Sequence, residues 1–355
     1  MPTLNSGIGN NACLRRWRLG SLLVLLLITA WPALRATTVE VVDNRKIWDT
    51  GAHNAFTDLV RWHDRWWCTF READDHVGGD GAIRVITSTD GAKWESAARL
   101  TEQDVDLRDP KLTVMPDGRL MLNCGGSIYL GTKQLKGRRS RVMFSGDGRT
   151  WTVPQKILSE GDWLWRVTWR GDTAYGAAYR SGLGGSAAPG PEWELSIYRT
   201  KDGVNFERVK DLEVRGRPNE TTLGFAPNGD MIALVRRETD GFMGHIGTAK
   251  PPYTTWSWQE SNHRFGGQNF IRLPDGRWLV GNRDYTKIVP QKKGGATTMI
   301  AELGQDGKLT TLVNFPSGGD TSYPGLVWHD GLLWVSYYSS HEGKTSIYLA
   351  QLKVR

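Results

Sequence analysis

Apolar residues in this chain come in short runs rather than long helical stripes. The clearest are Asp58-Leu-Val-Arg-Trp62, Lys111-Leu-Thr-Val-Met115, Arg166-Val-Thr-Trp169, Thr222-Leu-Gly-Phe225, Phe270-Ile-Arg-Leu273 and Gly325-Leu-Val-Trp328. Each is rich in β-branched and aromatic residues. Each is followed by a turn signal: His63-Asp64, Pro116-Asp-Gly118, Arg170-Gly-Asp172, Pro227-Asn-Gly229, Pro274-Asp-Gly276 and His329-Asp-Gly331. That pattern predicts strands joined by tight hairpins.

The runs recur every 48 to 56 residues. Most units carry further apolar runs, such as Ile83-Arg-Val-Ile86, Arg141-Val-Met-Phe144, Leu195-Ser-Ile-Tyr198 and Ser346-Ile-Tyr-Leu349. Four short strands per unit, repeated six times, predict an all-β protein: a six-bladed β-propeller of four-stranded antiparallel blades. A blade alone exposes both faces; stacking around an axis buries them and leaves only short edges. The last repeat lacks a strand after Val354, and the run from Val39-Glu-Val-Val42 through Ile47-Trp48 supplies it. No low-complexity break divides residues 37–355, which are read as one domain.

A second repeat lies inside the first. Ser88-Thr-Asp90-Gly91-Ala-Lys-Trp94, Ser145-Gly-Asp147-Gly148-Arg-Thr-Trp151 and Thr200-Lys-Asp202-Gly203-Val-Asn-Phe206 share Ser/Thr-x-Asp-Gly-x-x-aromatic. Asp caps the turn, Gly takes the left-handed position, and the aromatic folds back onto the sheet. These motifs are structural. They resemble Asp-boxes (BNR repeats), and a six-bladed propeller carrying them resembles the sialidase (neuraminidase) superfamily. The resemblance spans the chain beyond residue 36.

The N-terminus adds a localisation. Arg15, Arg16 and Arg18 precede a mostly apolar run of 16 residues from Leu19 to Leu34, and Ala36 offers a small residue for cleavage. Residues 1–36 are therefore read as a secretory signal peptide, short for a membrane span. A secreted or periplasmic protein with no stable membrane partner after cleavage is expected, an uncleaved membrane anchor being the alternative. The formal charge of +7 includes four arginines in that segment, leaving 7 − 4 = +3. With no Lys/Arg-rich run, no nucleic-acid partner is expected. Cys68 and Cys124 remain, read as two buried thiols, a single bridge being the alternative. His53, His63, His76, His245, His263, His329 and His341 show no metal-binding spacing, so no metal or cofactor is expected.

In a propeller, the starts of the first strands and the ends of the second strands meet at one mouth of the channel. Those positions here hold Arg71, Arg108, Arg236, Arg283, Glu220 and Tyr323 among others. Clustered guanidiniums suit a carboxylate ligand, which they bind by charge-assisted hydrogen bonds. The stretches Asn219-Glu220 to Arg236 and Ser322-Tyr323-Pro-Gly to Tyr338 resemble the sialidase base and nucleophile strands. The resemblance implies an exo-glycosidase that cleaves terminal sialic acid, or a related acidic sugar, with retention. Tyr323 is then the nucleophile and Glu220 its base. Arg71, Arg236 and Arg283 hold the substrate carboxylate, with Arg108 as a substitute. Asp80, or else Asp75, is the acid/base from the loop after Arg71. The substrate is an acidic sugar or sialoglycoconjugate. A tyrosine avoids the repulsion between a carboxylate nucleophile and the sugar's own carboxylate, and sialidases depart in this way from the two-carboxylate scheme. One feature departs from the family: His53-Asn-Ala-Phe stands where an arginine-bearing Phe-Arg-Ile-Pro is usual. A non-catalytic carbohydrate-binding propeller and a glycosidase or lyase for another acidic sugar are the competing readings.

Overall fold

The computed structural model describes residues 36–131, 134–181, 192–286 and 295–355; nearly all of the predicted signal segment lies outside them. No helix among the described residues is long and apolar enough to cross a membrane. Every regular element among the described residues is a strand, numbered β1 to β24 in chain order. They form six four-stranded sheets. Five run consecutively, over residues 53–100, 106–156, 162–211, 218–264 and 269–314. The sixth joins Val39–Trp48, Ser346–Val354, Leu332–Ser339 and Thr321–His329 in that spatial order.

The innermost strands are β2 (His53–Trp62), β6 (Asp106–Val114), β10 (Asp162–Arg170), β14 (Pro218–Phe225), β18 (Asn269–Arg272) and β22 (Thr321–His329). Each touches the next, and β22 touches β2, so the ring is closed. The N-terminal strand makes that closure. β1 (Val39–Trp48) pairs antiparallel with β24 (Ser346–Val354), with Val39 opposite Val354. The sixth blade is thus completed by strands from both ends of the described chain.

The hydrophobic core lies between blades. Trp62, Trp67, Ile83 and Val85 of one blade pack against Leu107, Leu112, Leu122 and Met143 of the next. Cys68 and Cys124 are both free and buried. The Asp-Gly turns adopt one geometry. Gly91 N donates to Ser88 Oγ (2.8 Å), and Ala92 N and Lys93 N to Asp90 Oδ1 (2.8 and 2.9 Å). Gly148 N donates to Ser145 Oγ (2.8 Å), and Gly203 N to Thr200 Oγ1 (3.0 Å). Trp94 and Trp151 return their indole N–H to the turn glycine carbonyls. Gly148 has φ +72°, and a Cβ there would meet the Trp67 ring at 2.2 Å. Only glycine fits that turn against its neighbour.

What places the site is an irregularity repeated in the inner strands. Five of the six carry a register shift near their start: Ala55/Asp58, Arg108/Lys111, Leu164/Val167, Pro218/Thr221 and Ser322/Gly325. A bulge of this kind re-aims side chains and commonly borders active sites. The residues inside these bulges include Phe56, Asp109, Trp165, Glu220 and Tyr323. Three of them have positive φ: Phe56 at 66°, Asp109 at 52° and Tyr323 at 56°. For bulky residues that backbone is strained, which itself points to function at this level of the wheel.

Candidate active site

Tyr323 and Glu220 face one another across the channel mouth. The Tyr323 hydroxyl donates to Glu220 Oε1 at 2.5 Å, and both side chains are buried. Glu220 Oε2 accepts from Gly267 N at 2.7 Å. Arg236 Nη1 lies 2.9 Å from Glu220 Oε1, and Arg236 Nε lies 2.6 Å from Glu238. Burial works against the Glu220 carboxylate. The Arg236 charge and the hydrogen bonds from Tyr323, Gly267 and Arg236 outweigh it and hold its pKa below the usual value. Burial also pushes the Tyr323 phenol well up, as do the Glu220 and Asp109 charges, with Arg236 and Arg283 opposing. The resting pair is therefore a neutral phenol against a carboxylate.

Cations surround the ring. The guanidinium of Arg283 lies 5.6 Å from the Tyr323 ring centroid, and Lys111 Nζ lies 5.4 Å from it. Arg283 donates to Thr321 O (2.8 Å) and to the hydroxyls of Tyr338 (3.0 Å) and Tyr285 (3.3 Å). Lys111 is buried over the Trp165 ring, and burial brings its pKa down to about 8, with the Arg166 charge acting the same way. The ring of Tyr323 rests on Gly267, where a Cβ would come within 2.5 Å of it.

The sequence-predicted residues do not all converge. Tyr323, Glu220, Arg236 and Arg283 do. Arg71 does not: its side chain is wholly buried, with Nε on Asp106 Oδ1 (2.6 Å), Nη1 on Asp75 O (2.6 Å) and Nη2 on Gly78 O (3.1 Å). With every nitrogen engaged by Asp106, Asp75 and Gly78, it anchors the loop over residues 74–81 to β6 rather than holding a ligand. Arg108 stands between: it donates to His76 O (2.9 Å) and Asp106 Oδ2 (3.1 Å), and its guanidinium lies 5.0 Å from the Phe56 ring centroid. Asp80 is exposed just before β4 (Ala82–Ser88). Asp75 is exposed too, with Oδ1 accepting from His76 N. Trp163 and Trp165 are buried in blade packing, with Trp165 Nε1 on Thr222 (3.2 Å), so neither offers a stacking face to a sugar.

Sequence reasoning did not assign Asp109 or Lys111 to the site, nor join His53, His76 and Asp320. Asp109 is buried, and its Oδ1 has no hydrogen-bond partner. Burial pushes its pKa up despite Arg108 and Lys111, and its charge is felt by Tyr323 and Glu220. The only local signal was the Asp-Pro step at a strand start. His53 Nε2 lies 2.8 Å from Asp320 Oδ2, and His76 Nδ1 lies 3.3 Å from the same carboxylate. Burial disfavours the Asp320 charge, yet these two imidazoles hold its pKa far below the usual range. The opposite end of the channel has a cavity, about 510 Å³, whose charged lining is the Asp58–Arg166 ion pair and Arg272. It lacks a paired phenol and carboxylate.

No family model and no curated protein matches this sequence. Solved structures match it by fold. A protein of unknown function from Dyadobacter fermentans aligns with TM-score 0.75 and 18% identity, over 89% of this chain and 99% of that one. The α-L-arabinofuranosidase of Fusarium graminearum aligns with TM-score 0.65 and 14% identity, over 88% and 97%. Trypanosoma rangeli sialidase aligns with TM-score 0.67 and 12% identity, over 89% of this chain and 59% of that one. At these identities the likeness is one of fold: a six-bladed propeller on which both sialidases and arabinofuranosidases are built.

Proposed function

We propose that this protein is an exported, exo-acting glycosidase that removes a terminal acidic sugar, a sialic acid or a relative of one, with retention of configuration. The observation that carries the reading is the buried Tyr323–Glu220 hydrogen bond of 2.5 Å, ringed by cations. Fold analogy alone does not assign a reaction. In the proposed first step, Glu220 takes the phenol proton as Tyr323 oxygen bonds to the anomeric carbon. The bond from that carbon to the aglycone oxygen breaks, and the leaving oxygen takes a proton from an acid. In the second step water attacks the same carbon as that carbon's bond to the Tyr323 oxygen breaks; the water proton passes to the acid's conjugate base, and the released Tyr323 oxygen recovers its proton from Glu220. Arg236, Arg283 and Arg108 supply positive charge for the sugar carboxylate.

The acid is Asp80 or Asp75 on the resemblance. Asp109 is the better supported donor, because a buried carboxyl with a raised pKa and an unpartnered oxygen favours its protonated form. Leaving groups separate these. Asp109→Asn should slow a substrate with a poor leaving group by about 10²–10⁴-fold and one with an activated aryl leaving group far less. Asp80→Asn should do neither. The reverse pattern would return the role to Asp80.

The pH profile gives a second check. Glu220 must be ionised to act, and its folded pKa is lowered. The acidic limb of kcat/KM should therefore lie below the ordinary glutamate value of about 4.3. Any stability Glu220 contributes is present above that value and lost as pH falls through the lower folded pKa. A limb at or above about 4.3 would count against Glu220 as base.

Withdrawal of Arg71 from the mouth favours a second reading, in which the sugar is an acidic one other than sialic acid. The test is hydrolysis of a fluorogenic panel: an α-sialoside, uronosides and an α-L-arabinofuranoside. Turnover confined to acidic members supports the proposal. Turnover of the arabinofuranoside alone refutes it, and saturable binding without turnover leaves a carbohydrate-binding propeller.

A further inference from the structure

Beside Tyr323, three side chains far apart in sequence come together. His53 opens β2, His76 lies in the loop between β3 (Arg65–Ala73) and β4, and Asp320 directly precedes β22. His76 and Asp320 are 244 residues apart, and His53 and Asp320 are 267 apart. One ligand atom from each lies within 4.8 Å of the other two. The geometry points to a divalent transition-metal site of the zinc type, built from His53, His76 and Asp320.

The donor set is the first argument. Two imidazoles and one carboxylate suit zinc and its neighbours rather than magnesium or calcium, which prefer all-oxygen shells. Spacing is the second. A tetrahedral centre with bonds of about 2.0–2.1 Å holds its ligand atoms roughly 3.3 Å apart. The observed separations of 2.8 and 3.3 Å to the Asp320 carboxylate need little change to meet that. Charge is the third. The ion pairs of Asp320 among the described residues are with these two imidazoles and with no lysine or arginine. Bound as neutral ligands to a dication, the imidazoles would leave the carboxylate directly compensated.

The surroundings support a working site over a purely structural one. The Tyr338 hydroxyl interacts with Asp320 and accepts from Arg283, so an outer layer orients the carboxylate. The Phe56 ring sits 5.1 Å from His76 and 4.9 Å from Tyr323, centroid to centroid, which puts the cluster one side chain from the phenol. His76 and Asp320 are 43% and 31% exposed, so an outside oxygen can reach them. Three protein ligands leave a fourth position, and the ligand class it would take is an oxygen-rich sugar group, a carboxylate or a vicinal diol. That last assignment rests on the glycosidase reading; the metal site does not.

The test reads metal alone. The protein is dialysed against EDTA and titrated calorimetrically with zinc chloride, with magnesium and calcium chlorides as comparisons. One zinc per chain is expected, with magnesium and calcium at least about 100-fold weaker. His76→Ala removes a half-exposed ligand, and Asp320→Asn keeps the side chain's shape. Each should weaken zinc binding by about 100-fold or more while circular dichroism shows the fold retained. Cobalt(II) in place of zinc should give the visible absorption of a tetrahedral centre. No stoichiometric zinc uptake by the folded protein would overturn the inference. So would uptake unchanged in both variants. Because no substrate is present, a failure of the glycosidase reading would not alter this result.

Discussion

Tyr323→Phe is expected to lower turnover of the best acidic glycoside by about 10³-fold or more while leaving the propeller folded. The change removes one oxygen and keeps the ring. That ring packs against Phe56, Trp165 and Tyr338 at centroid distances of 4.9, 5.4 and 6.0 Å, and it is the part that contributes to the core. What the variant loses is the atom that would bond to the sugar and the hydrogen bond to Glu220. Glu220 keeps Gly267 N and Arg236 as partners, so its carboxylate is not left uncompensated. KM should move far less than kcat, because the cationic rim is untouched. Rates on an activated aryl glycoside, beside a thermal unfolding curve, check both halves. Turnover unchanged within a factor of a few would leave the protein a glycosidase but remove the tyrosine from its mechanism.

The other large effect is on stability. Arg71→Ala should destabilise the fold by about 3–5 kcal/mol, the usual cost of removing one partner of a buried ion pair. Asp106, 1% exposed, would lose its closest ion pair, and the carbonyls of Asp75 and Gly78 would each lose a donor. Urea unfolding measures the loss. The paired replacement Arg71→Met with Asp106→Leu should recover much of it, since most of the cost lies in stranding a charge. A loss under about 1 kcal/mol for Arg71→Ala would mean that solvent reaches the pair. By contrast Arg283, partnered by hydroxyls and a carbonyl at the mouth, should affect substrate binding more than stability.

Those two arginines show where the reading of the sequence stopped. Arg71 and Arg283 occupy the same register, at the end of a second strand, and by pattern alone they are equivalent. The difference is made by Asp106, which enters from the next blade and captures Arg71. Nothing within ten residues of Arg71 announces it.

What the sequence determined by itself is the wheel. Alternating apolar runs, Pro-Asp-Gly hairpins and the Asp-Gly turns act over a few residues, so each strand and turn was legible locally. The 48- to 56-residue period then left six blades as the consistent count, and the unpaired last repeat required β1 to close the ring. The pairing of Tyr323 with Glu220 was legible because each sits at a strand start beside recognisable neighbours. Tertiary structure alone decided the rest. It placed the bulges that turn Phe56, Asp109 and Tyr323 into positive φ. It buried Asp109 and Lys111 at the mouth, and it gathered His53, His76 and Asp320 across hundreds of residues. The physical reason is range. Turn chemistry and strand periodicity are settled by neighbours along the chain. Charge pairing, burial and metal-ligand geometry depend on which side chains the closed ring brings within a few ångströms.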